Sequence, residues 1–205
     1  MNLADKDPIN LIIAGVGGQG NILISRLIGQ CLVEKGYLVT IGETYGASQR
    51  GGSVASHVRI SRESPFSPIT PGGDADIILG LEPVESLRLL CLYGSPTSVV
   101  ISNTRPIHPV AVAVGEAQYP TLQTIKALIG ELSRKAWYID ASEIALTLGA
   151  PVLTNIVMTG TLFATGLLPL AKEDFEQQMR ASFSGSKLAA NLEAFSRGGD
   201  AIREN

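Results

Sequence analysis

The stretch N-L-I-I-A-G-V-G-G-Q-G at residues 10–20 decides the fold of this chain. Residues 9–14 form a short apolar run rich in β-branched side chains, a pattern typical of a buried strand. After the glycines, apolar residues recur at helical spacing from Ile22 to Leu32. The sequence therefore predicts a strand, a turn and a helix, and the turn carries Gly15, Gly17, Gly18 and Gly20.

A glycine turn between a strand and a helix is suited to binding an anion. Glycine lets the main chain approach a ligand closely. The start of the helix presents unpaired N–H groups and the positive end of the helix dipole, and phosphate is a common occupant of such a place. The alternative is a packing turn that binds nothing, because a G-x-G-x-x-G pattern alone is a weak indicator of a nucleotide.

The composition indicates a globular protein with a substantial core. The chain has 205 residues, of which 45% are hydrophobic and 17% charged, so we expect one domain. The formal net charge is −3 and no basic run is present, which argues against nucleic-acid and membrane partners. No apolar run approaches the ~20 residues of a spanning helix, and the N-terminus has no apolar signal core, so we expect a cytoplasmic protein.

Cysteine usage argues against metal centres on this chain. Cys31 and Cys91 fall in different predicted helices, and no C-x-x-C pair occurs. Structural zinc and iron–sulfur clusters take several Cys or His ligands. We therefore expect two buried intracellular thiols and no disulfide, zinc site or cluster.

A second candidate stretch, E-T-Y-G-A-S-Q-R-G-G-S, begins at Glu43, just after a predicted strand at residues 37–41. Glu43 lies a little over 20 residues beyond Gly20, where an acid would hold a ribose hydroxyl in a dinucleotide site. The glycines that follow do not resemble the start of a crossover helix; they suggest a binding loop. Arg50 within it could hold a carboxylate or phosphate, or simply pair with Glu43 on the surface.

The remaining pattern alternates strands with helices. Strands are predicted at 54–61, 76–81, 98–102 and 136–139, with a further short one at 110–114, and helices at 83–93, 121–132, 140–148, 155–168 and twice after Lys172. This alternation predicts a three-layer, Rossmann-like α/β fold, a mostly parallel sheet with helices on both faces. Ligands bind beyond the carboxyl ends of such strands, so the glycine turn and the 43–52 loop should line one crevice. His57, in the strand at 54–61, is expected to be structural.

Several stretches together carry a family resemblance: G-V-G-G-Q-G at 15–20, Y-G-A-S-Q-R-G-G-S-V-A-S-H-V-R-I at 45–60, S-P at 67–68, G-G-D-A-D-I-I-L-G-L-E-P at 72–83, T-N-I-V-M-T-G at 154–160 and N-L-E-A-F at 191–195. This set resembles the gamma chain of the 2-oxoacid:ferredoxin oxidoreductases, also met as the beta chain of indolepyruvate ferredoxin oxidoreductase. The resemblance runs from about Ile9 to Gly198, and its S-Q-R-G-G-S form is closer to the indolepyruvate type.

The resemblance implies a chemistry shared among several subunits. Such enzymes decarboxylate a 2-oxoacid (pyruvate, 2-oxoglutarate or indolepyruvate) on thiamine diphosphate with magnesium. They pass electrons through [4Fe–4S] clusters to ferredoxin and deliver the acyl group to coenzyme A. This chain lacks the cysteine groupings for clusters and the G-D-G with paired asparagines of a thiamine-binding chain. Its expected partners are therefore a thiamine-binding catalytic subunit and a ferredoxin-like subunit, and we expect it to be inactive alone, with no catalytic residue and no metal ligand.

The expected contribution of this chain is a docking surface and part of the coenzyme A site. The candidate binding residues are Gly15, Gly17, Gly18, Gln19, Gly20, Glu43, Tyr45, Ser48, Arg50, Gly51, Gly52 and Asn155. In the competing interpretation these loops only pack against the thiamine-bearing subunit. We expect residues 1–205 to form one domain of the gamma type, with a flexible stretch at 1–8 and C-terminal helices at 172–205 that pack on it.

Two other functional classes stay open at this point. One is an NAD(P)-binding dehydrogenase with Glu43 on the ribose, although no catalytic Tyr/Lys or His/Asp arrangement is evident. The other is an assembly module whose crevice binds nothing. A homodimer of the isolated chain is also open, since the small-residue helix at 155–168 could pack against the sheet or against another subunit.

Overall fold

The structure, a computed structural model, describes residue 3, residues 6–46 and residues 52–203. Its strands are β1 (Ile9–Val16), β2 (Leu38–Tyr45), β3 (Ser53–Ser61), β4 (Ile77–Gly80), β5 (Val99–Asn103) and β6 (Lys135–Ile139). Its α-helices are α1 (Asn21–Glu34), α2 (Pro83–Tyr93), α3 (Val110–Ala113), α4 (Leu122–Leu132), α5 (Ala141–Thr147), α6 (Thr154–Ala164), α7 (Lys172–Ser182) and α8 (Gly185–Ala201), with a short 3-10 turn at Pro151–Leu153.

The six strands form one sheet in the order β2-β3-β1-β4-β5-β6. β1, β4, β5 and β6 are parallel neighbours, whereas β3 runs antiparallel to both β1 and β2. The reversal has a simple cause. Only seven residues separate β2 from β3, and a parallel crossover needs a dozen or more.

Helices cover both faces of the sheet, as the side-chain alternation of β1 requires. Leu11 and Ile13 point to one face and pack with Ile24 of α1. Ile12 points to the other face and packs with Leu89 of α2. α6 lies on the same face as α1, and α4 lies with α2. The predicted three-layer α/β fold with a mostly parallel sheet is confirmed.

The small residues of α6 allow close packing within the chain. A Cβ on Gly160 would lie 2.0 Å from the carbonyl oxygen of Phe195 in α8, and one on Gly198 would lie 1.9 Å from the carbonyl oxygen of Val157. Residues 155–163 are all buried. α6 therefore packs against α8 and the sheet. It does not offer the exposed surface through which a homodimer could form.

One predicted strand is wrong. Residues 110–113, read from their apolar character as a strand, form the one-turn helix α3, which begins after Pro109. No residue of α3 is buried, so no sheet edge or core selects the extended form. None of the helices in the described chain combines the length and the apolar character needed to cross a bilayer.

Candidate functional site

The strand order reverses direction between β1 and β4. From β1 the chain passes through α1 to the β2 side of the sheet, and it later returns to place β4 on the other side of β1. In open α/β sheets, ligands bind in the crevice beyond the strand ends at such a point. A cavity of about 400 Å³ lies there, lined by Gly18, Gln19, Leu81, Arg105, Ile107, Ser142, Leu146, Pro151, Val152, Thr154 and Asn155.

The glycine turn lines this crevice through Gly18 and Gln19 and leads into α1, whose first residues Asn21 and Ile22 line a second cavity described below. Gly18 and Gly20 have φ values of 102° and 86°, in the left-handed region that favours glycine. Gly20 precedes α1 with no side-chain cap, and the first turn of the helix carries no acidic residue. The N-terminal N–H groups of α1 are therefore suited to an anion.

Asn155 reaches the glycine turn from the start of α6. A Cβ on Gly20 would lie 2.2 Å from Nδ2 of Asn155, whereas a Cβ on Gly18 would meet nothing within 4 Å. Gly20 is thus needed for both its torsion and its packing, and Gly18 for its torsion alone. Asn155 itself is buried and lines the cavity.

Gln19 shapes the crevice as a brace. Its Oε1 accepts from the N–H of Val16 at 2.8 Å, and its Nε2 donates to the carbonyl oxygen of Leu81 at 2.9 Å. Asn103 continues the brace, because its Nδ2 donates to the same carbonyl at 3.1 Å and to Oγ of Ser142 at 3.0 Å. The loops after β1, β4, β5 and β6 are therefore tied together, and the contribution of Asn103 was missed from the sequence.

A second cavity of about 300 Å³ lies on the other side of the glycine turn. Its lining residues are Val16, Gly17, Gly18, Gly20, Asn21, Ile22, Tyr45 and Val54. Gly18 lines both cavities, so the turn forms the wall between them. The N–H of Gly17 donates to the carbonyl oxygen of Gly52 at 2.8 Å, which joins the glycine turn to the residue that precedes β3. Gly15 has no room for a side chain, since a Cβ there would lie 2.7 Å from Oε1 of Gln19 and 2.9 Å from Oδ1 of Asn21.

Glu43 does not line either cavity. Its carboxylate accepts a hydrogen bond from the hydroxyl of Tyr45, and this bond raises the pKa of Tyr45. Glu43 is therefore engaged two residues along its own strand and is not presented to a ribose. Ser48, Arg50 and Gly51 lie outside the described residues.

Arg105 is the cationic residue of the described crevice, and sequence reasoning missed it. It is exposed, lines the first cavity and has no hydrogen bond or ion pair with any described residue. A signal was available, because Arg105 follows the carboxyl end of β5, where ligand-binding side chains of a parallel sheet collect. Ser142 and Thr154 add hydroxyls, and Ile107, Leu146 and Val152 form apolar walls.

The arrangement is suited to binding rather than to catalysis. Among the described residues that line the first cavity there is no carboxylate, histidine or cysteine. Among the described residues, no group of three or more His, Cys, Asp or Glu is placed to hold a metal ion. A cation, uncapped helix N–H groups and apolar walls fit an anionic ligand that carries an apolar portion.

His57 has a structural role, as expected. It is fully buried, its Nδ1 accepts from the N–H of Thr70 at 3.3 Å, and its ring meets the ring of Tyr93 edge-on at 4.9 Å. Burial, with a smaller contribution from Arg59, lowers the pKa of His57 to about 4. The imidazole is therefore neutral in the folded protein at physiological pH.

Comparison with known proteins gives consistent relatives. The sequence pattern of the family described as pyruvate ferredoxin/flavodoxin oxidoreductase matches residues 10–201. The indolepyruvate oxidoreductase subunit IorB of Thermococcus kodakarensis is 39% identical over 196 residues, which cover 95% of this chain and 96% of that protein.

Solved structures share the fold. The pyruvate oxidoreductase subunit PORC of Thermotoga maritima superposes with a TM-score of 0.71 at 20% identity, covering 96% of this chain and 97% of that one. The 2-oxoglutarate:ferredoxin oxidoreductase of Magnetococcus marinus gives a TM-score of 0.74 at 20% identity, covering 98% of this chain and 32% of that longer one. The same three-layer unit thus occurs both as a separate chain and as part of a larger one.

Proposed function

This chain belongs to the pyruvate ferredoxin/flavodoxin oxidoreductase family, and we propose that it binds the anionic part of coenzyme A in the crevice between β1 and β4. It is a subunit of the 2-oxoacid:ferredoxin oxidoreductase class of complexes. The observation that carries the proposal is that Arg105 and the glycine turn before α1 line one cavity at the strand-order reversal.

Coenzyme A matches the chemistry of this crevice. Its phosphates suit the guanidinium of Arg105 in this crevice and, across the glycine turn, the N-terminus of α1 at the second cavity. Its pantetheine arm has an apolar character that suits the walls formed by Ile107, Leu146 and Val152. A cavity of about 400 Å³ accommodates part of such a molecule. The 2-oxoglutarate enzyme whose fold this chain shares was determined with coenzyme A bound, which supports the choice of ligand.

The candidate residues divide by role in this proposal. Gly17, Gly18 and Gly20 shape the turn, Gln19 braces it, Asn155 lines the cavity, and Arg105 is added to the set. Tyr45 lines the second cavity and Gly52 is bonded to the glycine turn; we propose that these two residues, together with Ser48, Arg50 and Gly51, extend the site toward a partner subunit.

The redox and decarboxylation chemistry is assigned to partner subunits. Cys31 is buried in α1 as expected, but Cys91, which was also expected to be buried, is exposed on α2. The two thiols lie on opposite faces of the sheet, so they cannot hold one cluster together. Burial raises the pKa of the Cys31 thiol to about 12, so this thiol is protonated at neutral pH. We propose that thiamine diphosphate with magnesium and the [4Fe–4S] clusters reside on a catalytic subunit and a ferredoxin-like subunit, with ferredoxin as the electron acceptor.

We propose indolepyruvate as the 2-oxoacid of the complex, because relatives at 36–39% identity are indolepyruvate oxidoreductase subunits. The isolated chain is expected to be inactive, to form one domain and to be cytoplasmic; its two free thiols suit a reducing compartment. An NAD(P)-dependent dehydrogenase is not favoured, since Glu43 is bonded to Tyr45.

The test uses the complex purified through a tag on this chain and assayed with pyruvate, 2-oxoglutarate and indolepyruvate. Arg105→Ala is expected to raise the KM for coenzyme A about tenfold, the cost of a lost charge-assisted hydrogen bond. Arg134→Ala is the matched control, because Arg134 is an exposed arginine just before β6, at the amino ends of the parallel strands and away from the crevice. An unchanged KM in an Arg105→Ala complex that assembles normally contradicts the proposal.

A further inference from the structure

The connection between β5 and α4, residues 104–121, carries Arg105 and forms one wall of the crevice. Its apolar side chains are largely in solvent, with Val110 exposed to 78% and Val114 to 61%. The backbone hydrogen bonds at residues 109–117 join the segment to itself. Side-chain burial therefore does little to fix residues 109–117 against the sheet, whereas Tyr119 packs against the core cluster on the α2 face.

In the described part of the chain, the hydrogen bonds that join residues 105–120 to the rest of the protein converge on Glu82 and the adjacent start of α2. Oε1 of Glu82 accepts from the N–H of Ile107 at 3.2 Å and from the hydroxyl of Tyr119. The Tyr119 hydroxyl also forms a hydrogen bond with the backbone of Val84. Glu82 thus holds the segment near both of its ends.

The two oxygens of Glu82 have separate tasks. Oε2 accepts from the N–H of Glu85 at 2.9 Å and caps α2, while Oε1 accepts both bonds from the β5–α4 connection. The side chain follows β4 directly and Glu82 is 1% exposed. Burial raises the pKa of Glu82, and burial together with the Glu82 bond raises the pKa of Tyr119. The Tyr119 hydroxyl is therefore a protonated donor at neutral pH.

We propose that Glu82 is a positioning residue for the crevice: through Ile107 and Tyr119 it holds the β5–α4 connection, and with it Arg105, against the cavity. Arg105 lies two residues before Ile107, and both line the cavity. We call Glu82, Ile107 and Tyr119 the clasp. Its release moves Arg105 and the apolar wall formed by Ile107 away from the cavity together. The assignment rests on the proposed binding of coenzyme A at Arg105.

Tyr119→Phe tests the clasp, because it removes the hydroxyl while the cap on α2 remains. In the assembled complex, we expect amide hydrogen exchange in residues 105–120 to become about tenfold faster, as for loss of one buried hydrogen bond. We expect the KM for coenzyme A to rise at least about threefold while kcat is retained. Tyr138→Phe is the matched control, since its hydroxyl donates to the carbonyl oxygen of Lys126 at 3.1 Å, away from the crevice.

Glu82→Gln separates positioning from stability. The amide oxygen can still accept from Ile107 and Tyr119, but the amide nitrogen faces the N–H of Glu85 and cannot cap α2. This variant is expected to lower the Tm more than Tyr119→Phe does, and to raise the KM for coenzyme A less.

The outcomes are distinguishable. Unchanged exchange in residues 105–120 of the Tyr119→Phe complex overturns the clasp, whatever coenzyme A does. If Arg105→Ala raises the KM and Tyr119→Phe does not, the positioning role is overturned and the proposed function stands. If neither variant changes the KM, the proposed function fails, and the positioning role fails with it.

Discussion

Gln19 donates from its amide nitrogen to the carbonyl oxygen of Leu81 at 2.9 Å, which joins the loop after β1 to the loop after β4. These two loops lie on either side of the point where the strand order reverses. The same side chain accepts from the N–H of Val16, so the glycine turn and the floor of the crevice form one connected structure. The protein's own hydrogen bonds therefore support the shape of the crevice.

Gln19→Leu removes this brace at similar side-chain volume. The N–H of Val16 is left without its partner in a buried position, while the carbonyl of Leu81 keeps its bond from Asn103. We expect the free energy of unfolding to fall by about 1–3 kcal/mol. Urea denaturation measures the change, with Gln177→Leu on the exposed side of α7 as the control. Equal stability of the two variants would show that the brace contributes nothing.

Gly20→Ala should be more damaging than Gly18→Ala. Both substitutions place alanine at positive φ, at a cost of about 1–2 kcal/mol, but only the Cβ at Gly20 collides with Asn155. Combining Gly20→Ala with Asn155→Ala relieves the collision and should recover part of the lost stability. A double-mutant cycle by thermal denaturation checks this coupling, and additive losses would contradict the contact.

Gly160→Ala is expected to force α6 and α8 apart. The new Cβ would lie 2.0 Å from the carbonyl oxygen of Phe195, and backbone cannot move aside cheaply. We expect a loss of about 1–3 kcal/mol or more. Gly130→Ala in α4 is the matched control, since its Cβ meets nothing within 4 Å, and a helical Gly→Ala change there should stabilise by about 0.5–1 kcal/mol. In chemical denaturation, we expect Gly160→Ala to lower the free energy of unfolding and Gly130→Ala to raise it.

The lowered pKa of His57 predicts that the protein loses stability in mild acid. Its folded pKa is about 4, below the ordinary value of 6.5, so the unfolded chain binds the proton first as pH falls. The contribution of His57 to the free energy of unfolding is complete above pH 6.5. It decreases by about 1.4 kcal/mol per pH unit between pH 6.5 and pH 4. The difference in unfolding free energy between the wild type and His57→Leu, measured from pH 7.5 to 4.5, should shrink across that range. A difference that does not change with pH would contradict the assignment.

Much of the fold could be predicted from local sequence signals. The strand, glycine turn and helix at residues 9–34 follow from the change of hydrophobic period at Gly15–Gly20, and the structure has β1 and α1 there. The direction of β3 was not predicted, because the strands expected at 37–41 and 54–61 leave twelve residues between them, whereas β2 continues to Tyr45 and leaves only seven, too few for a parallel crossover. The strand expected at 110–114 is wrong because apolar character alone does not distinguish exposed segments from core segments.

The site was harder to predict, because its parts meet only in three dimensions. Glycine spacing located the turn, and Asn155 was correctly expected near it. Arg105, Asn103 and Ser142 reach the crevice from β5 and from α5, and no local motif joins them to residues 15–20. Glu43, placed by its offset from Gly20, bonds instead to Tyr45 on its own strand.

The most direct test of the central claim is the structure of the purified complex with coenzyme A bound. The account predicts coenzyme A in the crevice between β1 and β4, with a phosphate within hydrogen-bonding distance of the Arg105 guanidinium or of the N–H groups at the start of α1. Coenzyme A held entirely by the partner subunits, with the crevice of this chain empty or filled by a partner side chain, would contradict it.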